Sequence, residues 1–140
     1  NKKPTLLVAK SEEINGSLAR YDAVNNVIAY SPEIGDRAKA ISLQQGQAAG
    51  NDMYSTPFHE MYHCKQAQDY EAKHGKITAD NYSEYIRELR AECKDKLDRL
   101  EITGQNVSEI SKYAEDMYSL GKYDEVDAEY NTLMALKKVR

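Results

Sequence analysis

The sequence predicts an α+β fold in which short strands come first and helices follow. Apolar runs with strand character occur within the first thirty residues, and helix start and stop signals divide the rest of the chain. The chain has 140 residues, with no internal repeat and no evident linker, so we expect a single domain over residues 1–140. It begins with Asn rather than Met, as an excised domain or a processed product does.

Two segments of the N-terminal part predict the strands. The run from Thr5 to Ala9 is short and apolar. Residues 18–30, LARYDAVNNVIAY, predict a hairpin because two apolar stretches flank Asn25-Asn26, and Asn tolerates the left-handed backbone of a tight turn.

Capping residues, prolines and glycines predict five helices. Ser31-Pro32-Glu33 combines a capping hydroxyl, a proline for the first helical position and an acid in the first turn. Thr56-Pro57 repeats the hydroxyl and the proline, and Gly75, Gly104 and Gly121 mark stops. The predicted helices cover 33–49, 57–73, 81–100, 107–120 and 123–138.

Composition and charge argue against two classes of partner. A net charge of −4 does not suit a general nucleic-acid binder, which needs a basic face. No apolar run approaches the roughly 20 residues that span a bilayer. We therefore expect no nucleic acid and no membrane among the partners. Cys64 and Cys93 are too few for a disulfide framework and are expected to be reduced and buried.

One motif carries chemistry, and it is the HExxH sequence His59-Glu60-Met61-Tyr62-His63, which lies just after a predicted helix start. Residues i and i+4 share a helix face, so both imidazoles can reach one ion. Zinc accepts imidazole nitrogens and leaves a position open for water. The motif predicts Zn²⁺ as cofactor, His59 and His63 as metal ligands, and Glu60 as the general base that takes the proton of an attacking water.

The third metal ligand is expected to be an acid, and the sequence offers two places for it. Glu92 lies at the border between the apolar stripe and the solvent side of the predicted helix 81–100. Glu125 and Glu129 share a face of the last helix, where one carboxylate could bind zinc and the other could orient a ligating histidine. The third histidine, His74, precedes Gly75 at a helix end and is expected to face the helix dipole rather than the metal.

Three stretches of the chain together resemble gluzincin-type zinc metallopeptidases. They are the HExxH motif, the segment ISKYA at 110–114 followed by ExxAEY at 125–130, and the upstream hairpin ARYDAVNNVIAYSPE. This pattern is similar to the catalytic domains of anthrax-lethal-factor-like peptidases and to the zincin-like domains of phage head-morphogenesis (minor capsid) proteins. The resemblance implies a zincin-like fold, with a short N-terminal hairpin followed by a helical bundle that carries HExxH.

The resemblance also implies roles for residues outside the motif. Glu125 corresponds to the third zinc ligand and Glu129 to its neighbour that orients a histidine. A tyrosine upstream of the third ligand stabilises the oxyanion in these families, and here it corresponds to Tyr118 or, with a longer intervening loop, to Tyr113. In zincins an edge strand pairs with an extended peptide substrate. The sequence departs from the pattern at Tyr62, whose phenol we expect to be housed against the strands.

The expected function is peptide-bond hydrolysis by zinc-activated water, on a peptide or protein substrate. The alternative is a phage-derived assembly domain without turnover, with phage structural proteins as partners. A third hypothesis is a toxin-like effector with a narrow protein substrate. A cytoplasmic location is expected for the enzyme, and a virion-associated one for the phage-derived domain.

Overall fold

The α+β class is confirmed by a computed structural model, which describes residues 3–9, 18–32 and 47–139. The predicted helix at 33–49 lies almost wholly outside these residues. The described strands are β1 (Thr5–Val8), β2 (Ala19–Asp22) and β3 (Val27–Tyr30). The helices are α1 (Ser55–His74), α2 (Tyr82–Arg99), α3 (Lys112–Ser119) and α4 (Tyr123–Val139), and short 3-10 turns cover Ala49–Asn51 and Val107–Glu109.

The three strands form one sheet in the order β1-β3-β2. β2 and β3 pair antiparallel and form the predicted hairpin, while β1 pairs parallel with β3. Asn26 occupies the left-handed region at φ 56°, as the turn requires, and its Oδ1 accepts a hydrogen bond from the Tyr21 hydroxyl at 2.8 Å. Turn chemistry therefore fixes the register that places β2 beside α1.

The helix that carries the motif begins and ends close to the predicted positions. α1 starts at Ser55, whose hydroxyl donates to the Ala49 carbonyl at 2.6 Å and ties the helix start to the preceding turn. It ends where Gly75 adopts φ 89° and its N–H donates to the Glu71 carbonyl. The helix packs against the hairpin and α2 through a buried cluster that contains Ala67, Tyr70, Ile77, Tyr85, Leu89 and Cys93.

The prediction of one helix over 107–120 is wrong in its first part. The segment begins with the 3-10 turn, and Ser111 then adopts an extended backbone at φ −173°. Its hydroxyl accepts a hydrogen bond from the Ala114 N–H at 2.9 Å and caps α3. Ser111 therefore starts a separate helix, α3, within a segment whose pattern predicted one continuous helix.

The last helix is the central one, and α1, α2 and α3 all pack on it. Val126 and Leu136 are buried on its apolar face, as predicted. Tyr62 packs toward this helix, where it lines a surface pocket with Asn131 and Thr132, and the prediction that it lies against the strands is wrong. Both cysteines are free and buried. Among the described helices, none combines the length and the apolar character that a membrane span requires.

Candidate metal centre

The two histidines of the motif lie one helical turn apart on α1 and point to the same place. Their Nε2 atoms are 3.0 Å apart and their rings meet edge to face, with centroids 4.6 Å apart. Both side chains are mostly buried, at 11% and 13% exposure. The i, i+4 spacing of the sequence thus produces the expected shared face.

An acid from α4 completes the cluster, and it is Glu125. Its Oε1 lies 2.8 Å from His59 Nε2, and its Oε2 lies 3.0 Å from His63 Nε2. These three residues form a group whose ligand atoms lie close enough together to hold a metal ion. Glu92, the alternative third ligand, is exposed on α2 and is not part of this group.

Glu129 contacts His59 at Nδ1, the ring nitrogen that does not face the other ligands. Its Oε2 lies 2.7 Å from His59 Nδ1, one turn of α4 beyond Glu125. Its other oxygen accepts hydrogen bonds from the Ser111 hydroxyl at 2.7 Å and from the Ala49 N–H at 2.9 Å. The carboxylate is 2% exposed and fully engaged, so it fixes the orientation of the His59 ring.

Gln66 holds the second histidine, and sequence reasoning gave it no role. Its Oε1 lies 2.8 Å from His63 Nδ1, and its Nε2 donates to the Asp127 carboxylate and the Asp124 carbonyl. The signal was present in the sequence, since Gln66 follows His63 by three residues and so shares its helix face. Each histidine therefore has a hydrogen-bond acceptor at Nδ1.

These two acceptors determine what the histidines present to the centre. An acceptor at Nδ1 favours the proton on that nitrogen, and a neutral imidazole that carries it there presents the lone pair on Nε2. Two lone pairs and the Glu125 carboxylate then converge with no donor among them. Such an arrangement attracts positive charge, which a metal ion or added protons can supply.

The ionisation of these groups without a metal reflects the same attraction. Burial opposes the charged form of His59, but hydrogen bonds to Glu125 and Glu129 raise its pKa well above the ordinary value. The pKa of His63 is also raised: burial opposes its protonation, but the charge of Glu125 and its hydrogen bond, together with the charge of Glu60, outweigh that effect. Although burial opposes the ionisation of Glu125, the charge of His63 and hydrogen bonds from both histidines hold its pKa far below the ordinary value.

Glu60 lies next to the cluster on the side of the sheet. It is 8% exposed, and its Oε2 is buried without a hydrogen-bond partner among the described residues. Its carboxylate also lies near the Tyr21 N–H, whose interaction lowers its pKa. Between β2 and β3, hydrogen-bonded pairs such as Leu18 with Ser31 alternate with pairs that exchange no hydrogen bonds. Tyr21 and Ile28 form a pair of the second kind, so the Tyr21 N–H points away from β3. Burial raises the pKa of Glu60, while the charges of His63 and His59 lower it.

The structure brings one of the two candidate tyrosines to the centre. The Tyr113 hydroxyl lies 3.1 Å from Glu125 Oε1, and its ring meets the His59 ring edge to face at 5.8 Å. Burial and the charge of Glu125 raise its pKa, so the phenol remains a hydrogen-bond donor. Tyr118 packs against the Tyr123 ring at 5.2 Å, in the apolar cluster formed with Leu97 and Val126.

The donor set fits a zinc ion in composition and spacing. Ligand atoms at the corners of a tetrahedron, each about 2.1 Å from zinc, lie about 3.4 Å apart. The observed separations of 3.0 Å between the Nε2 atoms and 2.8 and 3.0 Å to the carboxylate are slightly shorter. Small outward movements of the side chains would accommodate the ion. Glu60, whose Oε2 has no hydrogen-bond partner among the described residues, lies close enough to His59, His63 and Glu125 to interact with their charges.

Comparisons of this chain with protein-family models, with curated proteins and with solved structures found no match. The candidate metal centre therefore stands on the motif and on the geometry of the described residues.

Proposed function

We propose that the protein is a zinc-dependent metallopeptidase of the zincin type. The observation that carries the proposal is the convergence of His59 Nε2, His63 Nε2 and the Glu125 carboxylate beside a buried carboxylate with an unpartnered oxygen. Two histidines and one acid with an open position are the ligands of a catalytic zinc site, whereas structural zinc sites use four protein ligands.

His59, His63 and Glu125 would hold the ion, which supplies Lewis acidity toward a water molecule and a peptide carbonyl when bound. Glu60 Oε2 accepts the proton of the attacking water and passes it to the leaving amine. The Tyr113 hydroxyl donates a hydrogen bond to the carbonyl oxygen as that oxygen gains negative charge. Glu129 keeps His59 in the tautomer that presents Nε2.

The position of β2 supports an extended peptide as substrate. β2 is an edge strand of the described sheet, and its Tyr21 N–H reaches the Glu60 carboxylate. A peptide that pairs with this edge would carry its backbone past the general base and the metal ligands.

A peptide library tests the proposed activity directly. The zinc-loaded protein is incubated with a proteome-derived peptide mixture, and new termini are identified by mass spectrometry. We expect new termini that disappear after chelation and return with added zinc. Stoichiometric zinc without cleavage of any peptide would contradict the peptidase proposal and favour the assembly domain of a phage particle.

Replacing Tyr113 by Phe tests the oxyanion role. We expect kcat at saturating zinc to fall about 10²–10³-fold, the usual effect of removing one oxyanion donor. The matched control is Tyr118→Phe, which removes a hydroxyl in the Leu97 and Val126 cluster and should leave kcat unchanged. A loss of activity in Tyr118→Phe with normal activity in Tyr113→Phe would reverse the assignment.

A further inference from the structure

A buried acid lies behind the second histidine and contacts side chains from three helices. Asp127 of α4 is 1% exposed. It accepts hydrogen bonds from Gln66 Nε2 at 3.0 Å and from Asn131 Nδ2 at 3.1 Å, and Cys93 Sγ lies 3.6 Å away. The Tyr62 phenol also interacts with it. The peptidase mechanism uses none of these groups.

The side chains around Asp127 donate hydrogen bonds to both of its carboxylate oxygens. Gln66, Asn131 and Cys93 each donate to it, and Lys96 Nζ, 3.9 Å from Oδ2, supplies the nearest positive charge. Burying a carboxylate is costly unless its oxygens are hydrogen bonded, and here they are. Asp127 is therefore a fixed, fully engaged acceptor at this point of the core.

This acceptor determines how the Gln66 side chain is turned. The amide nitrogen of Gln66 faces two acceptors, Asp127 Oδ2 and the Asp124 carbonyl. The opposite orientation would place the amide oxygen against both of them, with no hydrogen bond on that side. Oε1 must therefore face His63, where it can only accept, so the ring proton is held on Nδ1.

We propose that Gln66 and Asp127 are positioning residues which together hold His63 in the tautomer that presents Nε2 to a metal ion. Asp127 orients the Gln66 amide, and Gln66 orients the imidazole. Without Asp127, only the Asp124 carbonyl would hold the amide, which could then turn more easily and offer Nε2 to the ring, favouring the proton on the metal-facing nitrogen. The inference rests on the proposed zinc site for its functional meaning, while the orientation of the ring is a property of the metal-free protein as well.

A double-mutant cycle on zinc affinity tests the proposal, with the zinc Kd measured by competition against a chromophoric chelator. We expect Gln66→Leu to raise the Kd about 10–100-fold, the usual effect of losing a partner of a ligating histidine. Asp127→Leu should raise it by a similar factor, and the double variant should bind no more weakly than Gln66→Leu alone. Asp127→Asn retains an acceptor oxygen and should lie near the wild type. Gln68→Leu is the matched control, because Gln68 lies on the same helix and its amide contacts Cys64 Sγ.

The ring nitrogens of His63 provide a second readout that does not depend on metal. Long-range proton–nitrogen spectra of the metal-free protein at alkaline pH report which ring nitrogen carries the proton. Because Glu125 also accepts at Nε2 in the metal-free protein, we expect a larger share of the proton on Nδ1 in the wild type and in Gln68→Leu than in Gln66→Leu. An unchanged pattern in folded Gln66→Leu would overturn the inference, as would additive effects of the two substitutions on the zinc Kd. If the wild type fails to bind zinc but the ring pattern changes as expected, the zinc proposal fails and the positioning inference stands.

Discussion

Glu60→Gln is expected to remove peptidase activity while zinc remains bound. The amide cannot accept the proton of the attacking water, and general-base catalysis of this kind contributes about 10²–10⁴-fold to a rate. Glu60 contacts the centre without belonging to the group of ligand atoms, so the zinc content should not change. The substitution also removes a buried charge, since burial raises the pKa of this carboxyl, and the melting temperature should therefore not fall.

The measurement is kcat/KM on a peptide found in the library experiment, with zinc content determined on the same samples. Glu84→Gln is the matched control, because Glu84 is exposed on α2 and its substitution should change neither quantity. Full activity in Glu60→Gln would contradict the assignment of the general base. Loss of zinc in Glu60→Gln would show that the residue acts on the metal and not on the substrate water.

Glu125→Gln is expected to abolish the stabilisation of the protein by zinc. A ligand that binds only the folded state at about 100 times its Kd adds roughly 2.7 kcal/mol. For a domain of this size that corresponds to a rise in melting temperature of about 10 °C. The neutral amide removes the anionic ligand of the ion, so zinc at the same concentration should leave the melting temperature of Glu125→Gln unchanged.

Glu92→Gln separates the two places that the sequence left open for the third ligand. Glu92 is exposed on α2, outside the His59, His63 and Glu125 group, so its variant should gain the same thermal shift as the wild type. Differential scanning fluorimetry with and without zinc measures both variants. A shift retained in Glu125→Gln and lost in Glu92→Gln would place the third ligand on α2.

The motif residues are the part of the candidate site that local sequence could predict. The spacing of His59 and His63 fixes their relative position as soon as the segment is helical, and the Thr56-Pro57 signal indicated such a helix. Glu125 is more than sixty residues away, and its approach depends on how α4 crosses α1. Helical periodicity alone also allowed Glu92 as the third metal ligand. Choosing between Glu92 and Glu125 required knowing how the helices pack against one another.

The supporting groups were harder to predict because two of them belong to the backbone. The Ala49 N–H donates to Glu129, and the Tyr21 N–H lies near Glu60 and lowers its pKa; no side-chain pattern marks a backbone donor. Ser111 was hidden inside a segment that predicted one continuous helix. Its hydroxyl accepts from the Ala114 N–H and donates to Glu129, so the residue that breaks the helix also supports the metal centre.

The buried acids of α4 show that helical periodicity does not predict which acidic side chains are buried. Asp124, Asp127 and Glu129 are each 4% exposed or less, although a run of acids usually indicates a solvated face. Each has a partner that the sequence does not place beside it: Arg90 for Asp124, Gln66 for Asp127 and His59 for Glu129. Burial of these acids follows from partners on other helices.

The metal content of the purified protein tests the central claim most directly. Wild type, His63→Ala and His74→Ala are incubated with zinc, passed through a desalting column and measured by elemental analysis. His74 is exposed at the end of α1, with its ring against Tyr70, and serves as the matched histidine control. We expect one zinc per chain in the wild type and in His74→Ala, and none in His63→Ala. A wild-type protein that retains no zinc, or a His63→Ala variant that retains it fully, would contradict a metal centre at His59, His63 and Glu125.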